Sequence, residues 1–238
     1  MNVLVIGGAG YVGAIVRPAL ETVHGCRYLD LRPVPGAEDR TFVGDVNDPA
    51  VVREAVQGQD ALVYLAMGTN NGDRRTVQDI DAAFNVNVRG LYRTLAAALE
   101  AGVRRICVAS SLSVYRHCHR SAIDESCAAD AWEPYGLSKR VGEFLCQAAA
   151  QQCPDATLVA LRLILPRNEA DWPQYRFDPA KERNVFALGP RDTRELFRKA
   201  LELDRPGCHI VQASGDITNE RLPNHRVREL LGWSPQNH

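Results

Sequence analysis

The stretch VIGGAGYVG, residues 5–13, constrains the fold of this chain more than any other. NVLVIG, residues 2–7, is a short β-branched run that predicts a buried strand. Gly7, Gly10 and Gly13 follow three residues apart, opening the helically spaced run 11–23. Glycine lets a backbone turn sharply and approach an anion closely. A helix N-terminus adds free N–H groups and a positive dipole end. The pattern therefore predicts a strand–turn–helix unit that cradles a pyrophosphate. CRYLD, residues 26–30, predicts a second strand ending on Asp30, whose carboxylate can accept hydrogen bonds from adenosine ribose hydroxyls. That carboxylate repels a 2′-phosphate and favours NAD. Arg32 stands just beyond it, where its guanidinium could donate to a 2′-phosphate, and leaves NADP open.

The remainder continues the alternation. Strands are predicted at 41–45, 61–66, 104–111 and 157–165. Helices are predicted at 49–58, 79–101 and 134–152. Strands alternating with helices predict an α/β, doubly wound parallel Rossmann sheet. Asp45 and Val46, after the third strand, face the expected adenine site, although Asp45 or Asn47 could instead cap the helix at Pro49. LAMG, residues 65–68, ends the fourth strand at the carboxyl edge, where such sheets bind ligands. After Pro166 the texture turns rich in proline, charge and aromatics, followed by a helix at 191–203, a strand at 208–214 and a helix at 224–233. The expected organisation is a dinucleotide-binding domain over 1–165 and a small, reduced C-terminal substrate-binding region over 166–238.

EPYGLSKR, residues 133–140, places Tyr135 and Lys139 on one helix face. A free tyrosine, with a pKa near 10, is a poor base at neutral pH, and lowering that value by about 3 units needs roughly 4 kcal/mol. A buried ammonium supplies energy of that order, whereas an exposed one does not. The chain has three lysines, Lys139, Lys181 and Lys199, among 28 basic residues, so a lysine at this position stands out. Arginine, bulkier and planar, would not replace it. Ser111 ends the fifth strand and can orient a substrate oxygen, with Ser110 and Ser113 as competitors.

Composition narrows the remaining classes. A formal net charge of -1 gives no basic field for nucleic acid. No apolar run approaches the roughly 20 residues of a membrane span, and the N-terminus lacks a leader's basic flank. Seven scattered cysteines predict reduced, mostly buried thiols and a cytoplasmic protein. His117, Cys118, His119 and Cys127 lack paired zinc spacing, so no metal is expected. Arg162, Arg167, Arg176, Arg183, Arg191, Arg194 and Arg198 follow one another closely. Most are read as a solvated surface paired with acids, and one or two as ligands for a carboxylate.

Together the glycine triplet, Asp30, GDVND, LAMG, NVRGLYRTLAAALEAGVRRICVASSLSVY and YGLSK resemble the extended short-chain dehydrogenase/reductase superfamily, and within it the NAD-dependent epimerase/dehydratase family, over residues 1–165. The tail and LLGWSP look more like its uronate dehydrogenase branch. The resemblance implies a catalytic set of Ser111, Tyr135 and Lys139. It implies cofactor contacts from Gly7, Gly10, Tyr11, Val12, Gly13, Asp30, Asp45, Val46, Leu65, Ala66 and Lys139. Asn87 matches the family's helix asparagine, which supports the active-site backbone, and is counted with the cofactor site. It also implies a homodimer through the helices at 79–101 and 134–152. Leu112 and Ser113 stand where the family's dehydratases carry an Asp-Glu pair, which disfavours elimination. The expected activity is NAD-dependent hydride transfer on a sugar, sugar acid or similar small hydroxylated substrate. An NAD-retaining epimerase using the same residues, and a non-catalytic dinucleotide-binding redox sensor, are the alternatives.

Overall fold

The computed structural model describes residues 1–68, 77–117, 122–175 and 186–236. The strands are β1 (Asn2–Ile6), β2 (Gly25–Asp30), β3 (Thr41–Val43), β4 (Ala61–Tyr64), β5 (Arg105–Ser111), β6 (Thr157–Leu163) and β7 (Gly207–Ala213). They form one sheet in the order β3-β2-β1-β4-β5-β6-β7. Every pairing is parallel. The chain steps outward from β1 through β2 to β3, then returns to the other side of β1 with β4. That reversal opens a crevice at the carboxyl ends of β1 and β4.

Both faces of the sheet are covered, which explains why β1 and β4 read as continuous apolar runs rather than alternating ones. Val3 and Val5 point into one layer with Val16 and Leu20 of α1 (Tyr11–Glu21), Phe197 of α6 (Pro190–Glu202) and Trp233. Leu4 and Ile6 point into the other, with Val52 of α2 (Pro49–Val56), Leu91 and Leu95 of α4 (Leu91–Glu100) and Cys146 of α5 (Pro134–Gln152). The strand expected at 208–214 is β7, which extends the sheet beyond β6 in parallel register, from Thr157 opposite Gly207 to Leu163 opposite Ala213. Val227 and Leu231 of α7 (His225–Leu231) close the first layer.

Two boundaries differ from the sequence reading in ways that matter for the site. The third strand stops at Val43, and Gly44 N–H bonds Asp30 O at 2.9 Å, which turns Asp45 out of the ladder toward the crevice. The helix expected over 79–101 runs from α3 (Val77–Phe84) into α4 through a π-helical turn at Asn85–Gly90. Such turns insert an extra residue and redirect side chains. Here the Tyr64 hydroxyl donates to the Val86 carbonyl at 2.6 Å within that turn. No helix among the described residues is long and apolar enough to cross a membrane.

Candidate active site

A cleft of about 450 Å³ occupies the crevice at the carboxyl ends of the central strands. Gly7, Gly10, Tyr11, Val12, Gly13, Asp30, Arg32, Asp45, Val46, Leu65 and Ala66, all expected from sequence, line it. Leu29, Leu31, Gly44, Met67 and Val86 line it too and were not anticipated. Their signal was available, since each adjoins a residue already singled out or lies at a strand's carboxyl end. Gly7 holds a φ of +84°, and a Cβ there would lie 2.6 Å from Ala66 N. Only glycine lets the first turn sit this close to the end of β4.

The acid and the arginine beyond β2 grip the two peptides that flank Ala9 of the glycine loop. Asp30 Oδ2 accepts from Ala9 N–H at 2.9 Å, and Arg32 donates to Ala9 O at 2.9 Å. The Asp30 carboxylate thus fixes the loop's shape with one oxygen while facing the cleft. Asp45 Oδ1 accepts from Asn47 N–H at 2.8 Å. The helix cap expected from Asp45 or Asn47 comes instead from Asp48, which accepts from Ala50 N–H at 2.8 Å. Asp48 directly precedes Pro49, so it has the position from which a side chain reaches the first free N–H groups. Tyr11, on the first turn of α1, donates to Asp171 at 2.7 Å and accepts from Asn168 N–H at 3.1 Å. This ties the glycine loop to the segment after β6. Partial burial and the Asp171 carboxylate raise the Tyr11 pKa.

Ser111 ends β5, and its Oγ accepts from Ser113 N–H at 3.1 Å, which starts the tight turn Leu112–Val114. Glu133 caps α5 by accepting from Tyr135 and Gly136 N–H at 3.0 and 2.5 Å. A Cβ on Gly136 would lie 2.1 Å from Ser113 O, so glycine alone lets the start of α5 press against the turn after Ser111. Tyr135 and Ser111 are brought to the same corner by that contact.

Lys139 is 8% exposed. Its Nζ donates to Ala109 O on β5 at 2.8 Å and lies 5.8 Å from the centre of the Tyr135 ring. Burial lowers its pKa to about 8, against the opposing influence of Cys146 and Glu143. Asn87 does not line the large cleft. It sits 2% exposed in the π turn, accepting from Gly68 N–H at 3.1 Å and donating to Ser138 Oγ at 2.9 Å. Ser138 in turn donates to Tyr135 O at 2.7 Å, so a buried chain joins the end of β4 to the Tyr135 backbone. Ser138 was missed from sequence, although it stands inside YGLSK.

Ser110, the competing serine, is buried and donates to Glu143 at 2.7 Å. Arg162 is no surface arginine: it forms a buried two-pronged ion pair with Glu143 at 2.7 and 2.8 Å. A β6 guanidinium pointing into a covered layer needs such an opposite charge to offset its burial, and Arg162 also donates to the Tyr115 hydroxyl. Arg194 pairs with Glu169, and Arg198 pairs with Glu195 and Glu202. Arg167 stacks 4.0 Å from the Tyr175 ring, and its buried Nε has no hydrogen-bond partner among the described residues. Arg176, Arg183, Lys181, Cys118 and His119 lie outside the described residues.

Residues 3–172 match the model of the NAD dependent epimerase/dehydratase family. Over an alignment of 255 positions, gaps included, the chain is 31% identical to an L-arabinose 1-dehydrogenase (NAD(P)(+)) of Haloferax volcanii, covering 99% of this chain and 96% of that protein. It is 28% identical to an NAD-dependent glucose-6-phosphate dehydrogenase of the same organism, covering 98% and 92%. Among solved structures, a glucuronic acid dehydrogenase from Chromohalobacter salexigens superposes with a TM-score of 0.80 at 26% identity, covering 99% of this chain and 84% of that one.

Proposed function

Because this chain belongs to the NAD dependent epimerase/dehydratase family, and so is an NAD-dependent enzyme, we propose that it oxidises a hydroxyl group of a sugar, a sugar acid or a similar small polyol. The observation that carries this reading is the pairing of a buried Lys139 with Tyr135 on the helix that presses against Ser111. The cleft fits a dinucleotide: the glycine turn allows close approach to a pyrophosphate, and Asp30 faces the position of the adenosine ribose. NAD bound there supplies a hydride acceptor.

Ser111 Oγ orients the substrate hydroxyl. Tyr135 takes the hydroxyl proton as the carbinol carbon gives up its hydride and becomes a carbonyl. The Lys139 ammonium lowers the pKa of Tyr135 so that its phenolate forms near neutral pH. The Asn87–Ser138 chain fixes the first turn of α5, and with it the height of Tyr135 above the sheet. Residues 1–165 bind the dinucleotide, and 166–238 close the substrate side. Arg167, beside Tyr11 on the segment after β6, is the arginine best suited to meet an anionic substrate group.

An epimerase that retains its cofactor is the second reading, supported by a 30% identical 4-epimerase of Escherichia coli O157:H7 that spans 69% of this chain. A screen of sugars, uronates and nucleotide sugars with NAD and NADP separates the two. Absorbance growing at 340 nm with added substrate supports the dehydrogenase. NAD kept through dialysis with no net reduction supports the epimerase. Tyr92 on α4 and Phe144 on α5 are 60% and 65% exposed, which supports a homodimer through these helices. Among the described cysteines, Cys26, Cys107 and Cys146 are buried free thiols, which supports a cytoplasmic enzyme, whereas Cys127 is exposed and departs from the expected burial.

A further inference from the structure

Behind the Tyr135–Lys139 face, α5 carries a carboxylate that this reaction does not use. Glu143 lies one helical turn beyond Lys139 and is 5% exposed. Its Oε1 accepts from Ser110 Oγ at 2.7 Å and from Arg162 Nε at 2.8 Å, and its Oε2 accepts from Arg162 at 2.7 Å. Arg162 also donates to the Tyr115 hydroxyl, with its guanidinium 4.9 Å from that ring. Asn87, Ser110, Lys139 and Glu143 are among the residues that bound a small cavity of about 10 Å³. That is at the lower end of the space one water needs, and the surface facing it is mainly apolar, so little screens the charges at its edge.

Packing does not explain why a carboxylate stands there. Apolar residues of similar volume join a helix to a strand at least as well as a buried ion pair does. The other charge in this layer is Lys139, which burial drives toward its neutral form. A neutral lysine would no longer favour the Tyr135 phenolate. We propose that Glu143 is a positioning residue that keeps Lys139 an ammonium across the water-sized cavity, and so sets the pH at which Tyr135 becomes a base. The proposal rests on the reading of Tyr135 as that base.

The other groups facing this layer leave Glu143 as the anion that matters. Cys146 lies on α5, Tyr64 on β4, Arg162 on β6 and Cys208 on β7, with Tyr115 and Glu125 flanking Arg162, while Cys107 of β5 points into the opposite layer. Burial holds Cys146, Cys107 and Tyr64 far above neutral pH and raises Cys208 and Tyr115 to about 12, so all stay protonated and uncharged. Glu125 acts on Arg162 and Tyr115 rather than on Lys139. Direct repulsion between Glu143 and a Tyr135 phenolate is the weaker effect. The two stand eight residues apart, about 12 Å along the helix, with Arg162 offsetting the carboxylate.

The test is a spectrophotometric pH titration of tyrosinate, each protein measured against its own Tyr135→Phe counterpart, which needs no substrate. The pH profile of kcat/KM accompanies it. The variants are Glu143→Gln and the double variant Glu143→Leu/Arg162→Met, which keeps the volume and leaves no buried charge unpaired. Both are expected to raise the Tyr135 ionisation by about half a pH unit or more, and the rising limb of kcat/KM should follow. A folded variant with lower turnover and an unmoved ionisation overturns the proposal and leaves Tyr135 as the base. Full turnover in Tyr135→Phe alone overturns both.

Discussion

Among single residues, one lysine weakens the fold in order to serve the site. Lys139 is buried, with a pKa lowered from 10.5 to about 8. Below pH 8 both the folded and unfolded chains hold its proton. Between about 8 and 10.5 the unfolded chain holds the proton and the folded one releases it, so stability rises with pH across that window. Lys139→Met removes this penalty. It is expected to stabilise the protein at pH 7 by on the order of 3 kcal/mol, to flatten the alkaline rise and to abolish turnover. Thermal melts at pH 7 and pH 10 measure it; a variant less stable than wild type at pH 7 contradicts it. Asp30 carries the second prediction at this scale. With Asp30→Ala, the ribose loses its acceptor and Arg32 loses the neighbouring carboxylate. NAD affinity is expected to fall about tenfold or more and NADP affinity to rise. Isothermal titration with both dinucleotides checks this, and an unchanged preference counts against the assignment.

At the scale of elements, the positions of strands and helices were legible because each carries its own period and terminator. NVLVIG, CRYLD and ALVYLA are apolar runs bounded by glycine or acid, and Pro134 marks the start of α5 as proline at a first helical turn should. What was not legible came from contacts between elements. The π turn at Asn85–Gly90 leaves no trace in the spacing of apolar residues, because it answers to Tyr64 on another strand. Arg162 looked like one arginine among several, because the partner that buries it stands nineteen residues earlier, on a helix. Gly136 within YGLSK is likewise explained by Ser113, not by its neighbours. Gly136→Ala forces the start of α5 away from the Leu112–Val114 turn and separates Tyr135 from Ser111. A misplacement of about 1 Å can cost on the order of 100-fold in rate. The variant is therefore expected to bind NAD nearly as well as wild type and to lose turnover on that scale. Loss of NAD binding with turnover per bound cofactor preserved would contradict this.

At the scale of the whole molecule, the seven-stranded sheet gathers the ends of β1, β2 and β4 into one crevice, and brings the end of β5 and the start of α5 to its flank. Dinucleotide binding and proton transfer are thus parts of one topology. The tail adds β7 to the sheet's edge and α6 against α1, while Tyr11 fastens the glycine loop to the segment following β6. The central claim is that Tyr135 removes the proton of a sugar or sugar-acid hydroxyl as NAD accepts the hydride. Its most direct test measures initial rates at 340 nm for wild type and Tyr135→Phe on the best substrate of the screen, with NAD saturating in both. Loss of a positioned general base predicts a fall of about 10²–10⁴-fold in kcat with NAD affinity intact. Equal rates in the two proteins would contradict the account.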